Sequence, residues 1–98
     1  MEKQGVIVTK NDSLATATVD LKKGDIAKMF LGDEVIEVVM KEDVRFGHKF
    51  AIKDIKKGEH VIKYSESIGT ATQDISIGEH VHVHNVESDR GRGDKKHQ

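Results

Sequence analysis

A six-residue phrase occurs three times in this chain, as Asp20-Leu21-Lys22-Lys23-Gly24-Asp25, Asp54-Ile55-Lys56-Lys57-Gly58-Glu59 and Asp74-Ile75-Ser76-Ile77-Gly78-Glu79. Each reads Asp, aliphatic, two variable residues, Gly, acid. Such a phrase is a tight turn: the Asp carboxylate is suited to accept a hydrogen bond from a backbone N–H two residues on, and the Gly supplies the φ > 0 position that closes it. The flanks make it a strand connector. Ahead of the phrases lie Ala15-Thr16-Ala17-Thr18-Val19, Lys49-Phe50-Ala51-Ile52-Lys53 and Ile68-Gly69-Thr70-Ala71-Thr72, and behind the second and third come His60-Val61-Ile62-Lys63-Tyr64 and His80-Val81-His82-Val83-His84. These runs are short, alternating and rich in β-branched residues, as strands are. The phrases begin 34 and then 20 residues apart, too irregular for a solenoid and consistent with one motif reused in a compact sheet. Residues 5–9 and 34–40 also read as strands.

The expectation is therefore one all-β domain over residues 1–88, with a single ambiguity. In residues 25–31, Ile26, Met29 and Phe30 have helical spacing, so a short helix ending at Gly32 competes evenly with a strand. Residues 89–98 differ in kind. From Ser88 onward there is no apolar side chain of any size to offset ordering entropy, so this tail is expected to be disordered alone. Its Arg90-Gly91-Arg92-Gly93-Asp94 segment is a candidate element for docking on a partner.

Composition narrows the chemistry. Sixteen Lys+Arg against 17 Asp+Glu leave a formal charge of −1, so no field draws the chain to nucleic acid or an acidic membrane. Aromatic content of 4% argues against a base-stacking platform. With no Cys there is no disulfide, thiolate zinc site or thiol nucleophile. No stretch of 18 apolar residues and no signal-peptide pattern occurs, and the expectation is a soluble, cytoplasmic protein. Gly-rich phosphate loops and a Gly-X-Ser-X-Gly elbow are absent. A chain of 98 residues seldom builds both walls of a ligand pocket of about 300–1,000 Å³, so a catalytic role implies a partner.

Five of the six His lie between positions 48 and 84. In a strand, His80, His82 and His84 would share one face while Val81 and Val83 enter the core. That ridge has three readings: an exposed polar face, a ligand set for Fe, Mn or Zn completed by a carboxylate or a second chain, or acid/base work. A second cluster is Phe46-Gly47-His48-Lys49-Phe50, where Lys49 beside His48 would clamp a carboxylate if Lys63 converged on it; ordinary strand-end surface is the competing reading. Tyr64, the sole Tyr, reads as packing with a hydrogen-bonded hydroxyl.

The run from Gly47-His48-Lys49 through Gly58-Glu59, then Val61-Ile62-Lys63-Tyr64, Ile68-Gly69-Thr70-Ala71 and Gly78-Glu79-His80-Val81-His82-Val83-His84-Asn85-Val86, resembles the N-terminal SAF domain of the altronate/galactarate dehydratase family. The resemblance extends from about Asp12 to Asp94 and is most specific at Gly-His-Lys and His-Val-His-Asn. It implies a SAF-type β-clip. It also implies a β-elimination: dehydration of a sugar acid to a 2-keto-3-deoxy acid with Fe²⁺ or Mn²⁺, in long members within one chain and in split members through a separate large catalytic subunit. Carried onto this sequence, the implied catalytic residues are His48, Lys49, Lys63 and Tyr64, the metal ligands His82 and His84, and the substrate contact Asn85. The metal is expected to be held by, or shared with, the large subunit. One departure stands out: Ser65 follows Lys63-Tyr64 where the family usually has a Gly, a residue suited to positive φ.

The leading expectation is thus the small subunit of a metal-dependent hydro-lyase, inactive alone. A related reading is the small subunit of a sulfolactate sulfo-lyase, which eliminates sulfite. A reading of a different class is a non-catalytic SAF module for binding or assembly, since fold does not fix function.

Overall fold

The computed structural model describes residues 4–88. The tail expected at 89–98, with its docking segment, lies outside the described residues. Within them the chain is all strand: β1 Gly5–Val6, β2 Leu14–Ala17, β3 Ile26–Leu31, β4 Glu34–Val39, β5 Lys49–Ala51, β6 His60–Lys63, β7 Glu66–Ala71, β8 His80–Val81 and β9 Val86–Ser88. They form a four-stranded sheet in the order β1-β2-β5-β8, the hairpin β3-β4, and a three-stranded sheet β6-β7-β9, every pairing antiparallel. The expected all-β fold is what forms. No helix among the described residues is long and apolar enough to cross a membrane.

The repeated phrases are turns, and a fourth joins them: Asp43-Val44-Arg45-Phe46-Gly47-His48, with His in the place of the acid. The Gly of all four has positive φ, between 85° and 93°. The leading Asp does not bond two residues on, as the local reading expects. It reaches across to a partner turn instead. Asp20 Oδ1 accepts from the Phe46 N–H at 2.9 Å and Asp43 Oδ1 from the Lys23 N–H at 2.8 Å, while Asp54 and Asp74 accept from Ile77 and Lys57 at 3.0 and 2.9 Å. The local cap comes from the closing acid: Asp25 and Glu59 accept from the N–H groups of Lys22 and Lys56 at 2.9 and 2.6 Å, and Glu79 from that of Ser76. The turns therefore work in two interlocked pairs, and the chain is one unit used twice: strand, turn, hairpin, turn.

Each pair has its own core. Leu21 and Val44 bridge back to back in a cluster with Met29, Val38, Met40 and Phe50; Ile55 and Ile75 do the same in a cluster with Leu14, Val61, Ala71 and Val81. Strands β2 and β5 separate the two, because alternate side chains point to opposite faces. Ala15 and Phe50 enter one cluster, Leu14 and Ala51 the other.

Two expectations need correcting. The helix weighed for residues 25–31 is strand β3, paired residue by residue with β4 from Ile26↔Val39 to Leu31↔Glu34. Ala27 and Met29 are buried in strand alternation, and the helical spacing arose because Ile26 and Phe30 are apolar residues on the outer face. The His run is not one strand either. β8 ends at Val81, so Val81 is buried but Val83 is 81% exposed instead of entering the core.

Candidate functional site

Asn85 is what ends β8 and gathers the imidazoles. Its Oδ1 accepts from the His82 N–H at 2.9 Å, its Nδ2 donates to the His80 carbonyl at 2.9 Å, and its own N–H donates to the His82 carbonyl at 3.1 Å. With both ends of its amide committed, Asn85 is buried, and the chain folds back over 82–85 so that His82 and His84 stay beside His80. His48 arrives from the end of the fourth turn phrase, Asp43 to His48. β5 pairs with β8 through Lys49↔Val81 and Phe50↔His80, which sets His48 against the start of β8 across a gap of 32 residues in sequence.

The result is a tight imidazole cluster. His48 Nδ1 lies 3.0 Å from His80 Nε2, and the His48, His80 and His82 rings lie 5.2 to 5.6 Å apart, centroid to centroid. One ring nitrogen from each of these three falls within 4.8 Å of the others. His84 approaches His80 to 5.6 Å, centroid to centroid, but is outside that set. Burial, and the neighbouring His48, His84 and His82, hold the His80 imidazole below its ordinary pKa, with Glu42 pulling the other way. The Glu42 carboxylate accepts from the His80 backbone N–H at 2.8 Å. Three nitrogens with no carboxylate in the set suit iron or zinc better than manganese, which prefers oxygen donors, so the donor set fits a divalent transition metal.

Lys49 sits half-buried at an open depression of about 200 Å³, with His82, Val83, Ile68 and Leu14 around it. That is below the usual range of about 300–1,000 Å³ for a ligand pocket. Lys49 and His82 line the same largely apolar hollow, where a lysine would offer a carboxylate a cationic partner.

Lys63, the last residue of β6, and Tyr64, in the turn that follows it, stand outside the imidazole cluster. Lys63 is buried, its Nζ finds no hydrogen-bond partner, and it lies 4.5 Å from the centre of the exposed Tyr64 ring. Burial lowers its pKa; Asp12 opposes this and the charge of Lys49 adds to it. Tyr64 is therefore a cover for Lys63 more than a core residue. Tyr64 and Ser65 both have positive φ, 54° and 63°. Ser65 thus adopts the conformation expected of a Gly, at the cost of left-handed strain. Two hydrogen bonds hold it there: Ser65 N–H to Asp12 Oδ1 at 3.1 Å, and Ser65 Oγ to Thr9 Oγ1 at 2.9 Å.

Sequence reasoning missed three contributors. His80 was on the expected ridge but outside the implied ligand pair, although it is the imidazole that all the others touch. Glu42 carried no signal, since its role is a contact with a backbone 38 residues away. Asp12 lies at the start of the resemblance, yet nothing local marks it as the acceptor of four hydrogen bonds from Val8, Thr9 and Ser65. A signal for His48 did exist: it is the sixth residue of the fourth turn phrase, visible once the closing acid is allowed to vary.

A family profile for the altronate/galactarate dehydratase SAF domain matches residues 3–89. Altronate dehydratase of Bacillus subtilis (strain 168) is 37% identical over 86 residues, 88% of this chain and 16% of that protein. Altronate dehydratase of Escherichia coli (strain K12) is 44% identical over 75 residues, 76% of this chain and 14% of that protein. The (2R)-sulfolactate sulfo-lyase subunit alpha of Chromohalobacter salexigens is 48% identical over 58 residues, 59% of this chain and 62% of that subunit. The chain thus spans about one sixth of the length of the altronate dehydratases it matches.

Proposed function

Because this chain belongs to the altronate/galactarate dehydratase SAF-domain family, we propose that it serves as the small subunit of a cytoplasmic hydro-lyase that dehydrates a sugar acid to a 2-keto-3-deoxy acid together with a large catalytic subunit. The observation that carries this reading is the imidazole cluster beside Lys49. It is polar, convergent chemistry on an open wall that needs a second wall to become a pocket. The relatives named subunit alpha support the division of labour, since the matched segment makes up 62% of one and 75% of another.

In the elimination, the proton on the carbon next to the carboxylate leaves, the hydroxyl departs from the neighbouring carbon as water, and the enol formed tautomerises to the 2-keto acid. Lys49 would hold the carboxylate through its ammonium, a role its position in the lining of the open depression supports. His80 and His48 would hold the metal together with His82 or, where the large subunit holds it, take a proton and pass it on through their 3.0 Å contact. Lys63 is the second basic candidate: burial favours its neutral form, and its use requires the Tyr64 ring to move aside. Asn85 acts from beneath, fixing the backbone that carries His80 and His82. Fe²⁺ or Mn²⁺, when bound among the imidazoles of His82 and its neighbours or by the large subunit, would supply Lewis-acid polarisation of a substrate oxygen.

The test is reconstitution. The chain and the large subunit, separately and mixed, are assayed anaerobically with Fe²⁺ or Mn²⁺ for 2-keto-3-deoxy acid formation from a panel of aldonates and aldarates. Activity in the mixture alone supports the reading, and a stable complex inactive on every sugar acid removes it. The 48% identity to the sulfo-lyase subunits favours a second reading, sulfite elimination from sulfolactate, read as sulfite release in the same assay. Changing His82 and His84 to Ala separates both from a non-catalytic assembly module: a loss of about a hundredfold or more in kcat/KM is expected for an active-site wall, and a change within a few-fold for the module.

A further inference from the structure

We propose that His48, His80 and His82 form a divalent transition-metal site that this chain holds by itself, with His84 outside it. The first argument is spacing. Nitrogens bound to one ion at about 2.0–2.1 Å stand about 2.8–3.4 Å from their neighbours in octahedral or tetrahedral arrangements. His48 Nδ1 and His80 Nε2 already stand at 3.0 Å, and the His82 nitrogen lies within 4.8 Å of both, so an ion would draw the exposed His82 ring in toward a pair already at ligand spacing.

The second argument is the fourth turn. In three of the four equivalent turns the sixth residue is an acid that caps its own turn, accepting from the N–H of Lys22, Lys56 or Ser76. Position 48 is where that acid gives way to His, and the His48 ring is directed at His80. The backbone at 48 is otherwise unchanged: Ala17 N–H donates to the His48 carbonyl as Ala51 N–H does to that of Glu79. A local rule kept three times and broken once, at the one turn that faces other imidazoles, marks a functional site.

The third argument is electronic. Each neutral imidazole offers one lone pair, and where a shared proton joins only two of them, one cation accepts all three. The Asn85 amide fixes the backbone at His80 and His82, the kind of outer-shell support that orients ligands. His48 and His80 are half-buried and His82 is exposed, so a bound ion would keep an open side toward solvent or a second chain, as catalytic rather than structural sites do.

The experiment is a Co²⁺ titration of the metal-stripped full chain, without the large subunit, followed by the visible d–d bands. One Co²⁺ per chain is expected. His48→Gln and His80→Gln should each weaken binding by about tenfold or more, at least the loss that outer-shell changes cause. His60→Gln and His84→Gln should stay within about twofold, the scatter expected of residues that do not ligate. A second readout needs no variant: Mn²⁺ added to the wild-type chain should broaden the ring signals of His48, His80 and His82 in NMR spectra before those of the other three His. Absence of saturable binding at millimolar Co²⁺ overturns the proposal, as does a His80→Gln loss no larger than that of His84→Gln, or equal broadening of all six rings. The site stands apart from the lyase reading, because an inactive complex whose small chain still binds Co²⁺ would refute that reading alone.

Discussion

The sharpest stability test is Asp12→Asn, which keeps the shape of a fully buried side chain and changes only what its oxygens can accept. Oδ2 of Asp12 accepts from the N–H groups of Val8 and Thr9 at 3.1 and 3.2 Å; Oδ1 accepts from Thr9 Oγ1 and the Ser65 N–H at 2.9 and 3.1 Å. An amide has one acceptor oxygen, so its NH₂ must face two of these donors. Turned toward Val8 and Thr9 it strands two backbone N–H groups; turned the other way, the Thr9 hydroxyl can rotate to accept, and only the Ser65 N–H is stranded. The second arrangement costs about 1–3 kcal/mol for the orphaned donor, and the surviving bonds lose charge assistance, so the total is about 3 kcal/mol. For a domain of this size that is a fall in Tm of about 12–24 °C at neutral pH, read by circular dichroism. The pH dependence has a definite sign. Burial raises the Asp12 pKa, but the N–H groups of Ser65, Thr9 and Val8 and the Thr9 hydroxyl outweigh it and hold the carboxyl below its usual value. A depressed folded-state pKa means stability that is fully present above the unfolded value of about 3.9 and is lost as pH falls through the lower, folded one. The gap between wild type and Asp12→Asn should therefore be largest near neutrality and shrink below about pH 4. A loss under about 1 kcal/mol at pH 7, or a gap unchanged in acid, would refute the assignment of Asp12 as the anionic anchor of the Tyr64–Ser65 turn.

Lys63→Met removes a buried amine that has no hydrogen bond and should stabilise the chain by about 1–2 kcal/mol in urea melts while lowering the activity of the reconstituted complex. Because burial depresses the Lys63 pKa, the Met advantage should be greatest at low pH, where the buried amine is charged, and fade as pH rises toward the ordinary lysine value of about 10.4. Gly24→Ala and Gly78→Ala share a φ of +93°, but a Cβ at 78 would stand 2.3 Å from the Val39 carbonyl oxygen while one at 24 meets nothing within 4 Å. Both pay left-handed strain of about 1–2 kcal/mol, and Gly78→Ala should cost at least about 2 kcal/mol more; equal losses would show that the strand end yields freely. His48→Glu restores the missing cap at the Arg45 N–H and should raise stability by about 0.5–1 kcal/mol while weakening Co²⁺ binding, whereas a stabilised variant with intact binding would separate His48 from the metal. Asn85→Ala should cost about 2–3 kcal/mol and also weaken Co²⁺ binding, since it frees the backbone of both His80 and His82.

Local chemistry made much of the fold legible. Asp-aliphatic-X-X-Gly-acid marked three turns because the Gly conformation is a property of the residue itself, and alternation located the strands on their flanks. What stayed hidden was anything decided by distant partners. The leading Asp of each phrase looks like a local cap, yet its acceptor oxygens serve a turn 17 to 26 residues away. The spacing of Ile26, Met29 and Phe30 suits a helix, and only the pairing of Ala27 and Met29 with Val38 and Ile36 decides for a strand. The Leu31-Gly32-Asp33-Glu34 junction, a two-residue Gly-Asp link between apolar runs, was the local hairpin signal that could have tipped the balance. At the site, the His ridge and the Gly-His-Lys motif were both visible in sequence. Their meeting was not, because it depends on the β5–β8 register.

That register also explains why only one of two nearly identical segments joins the imidazole cluster. Gly58-Glu59-His60-Val61 and Gly78-Glu79-His80-Val81 share their pattern residue for residue, and each places a His at the first position of a strand after a capped turn. His60 opens β6, pairs across to Thr70 on β7, and its ring meets the Ser67 hydroxyl at 3.2 Å; it is exposed and has no imidazole beside it in the described structure. His80 opens β8, pairs across to Phe50 on β5, and so lies next to the end of the fourth turn phrase, where the acid has been replaced by His48. Local sequence alone would give both positions the same role. The difference comes from the duplicated architecture, in which the closing residue of one unit's last turn is also the entry to the next unit's central strand. A side chain at that junction reaches β8, at the cost of one turn cap, whereas Asp25 and Glu59 lead into the hairpin strands β3 and β6 and Glu79 leads into β8 itself.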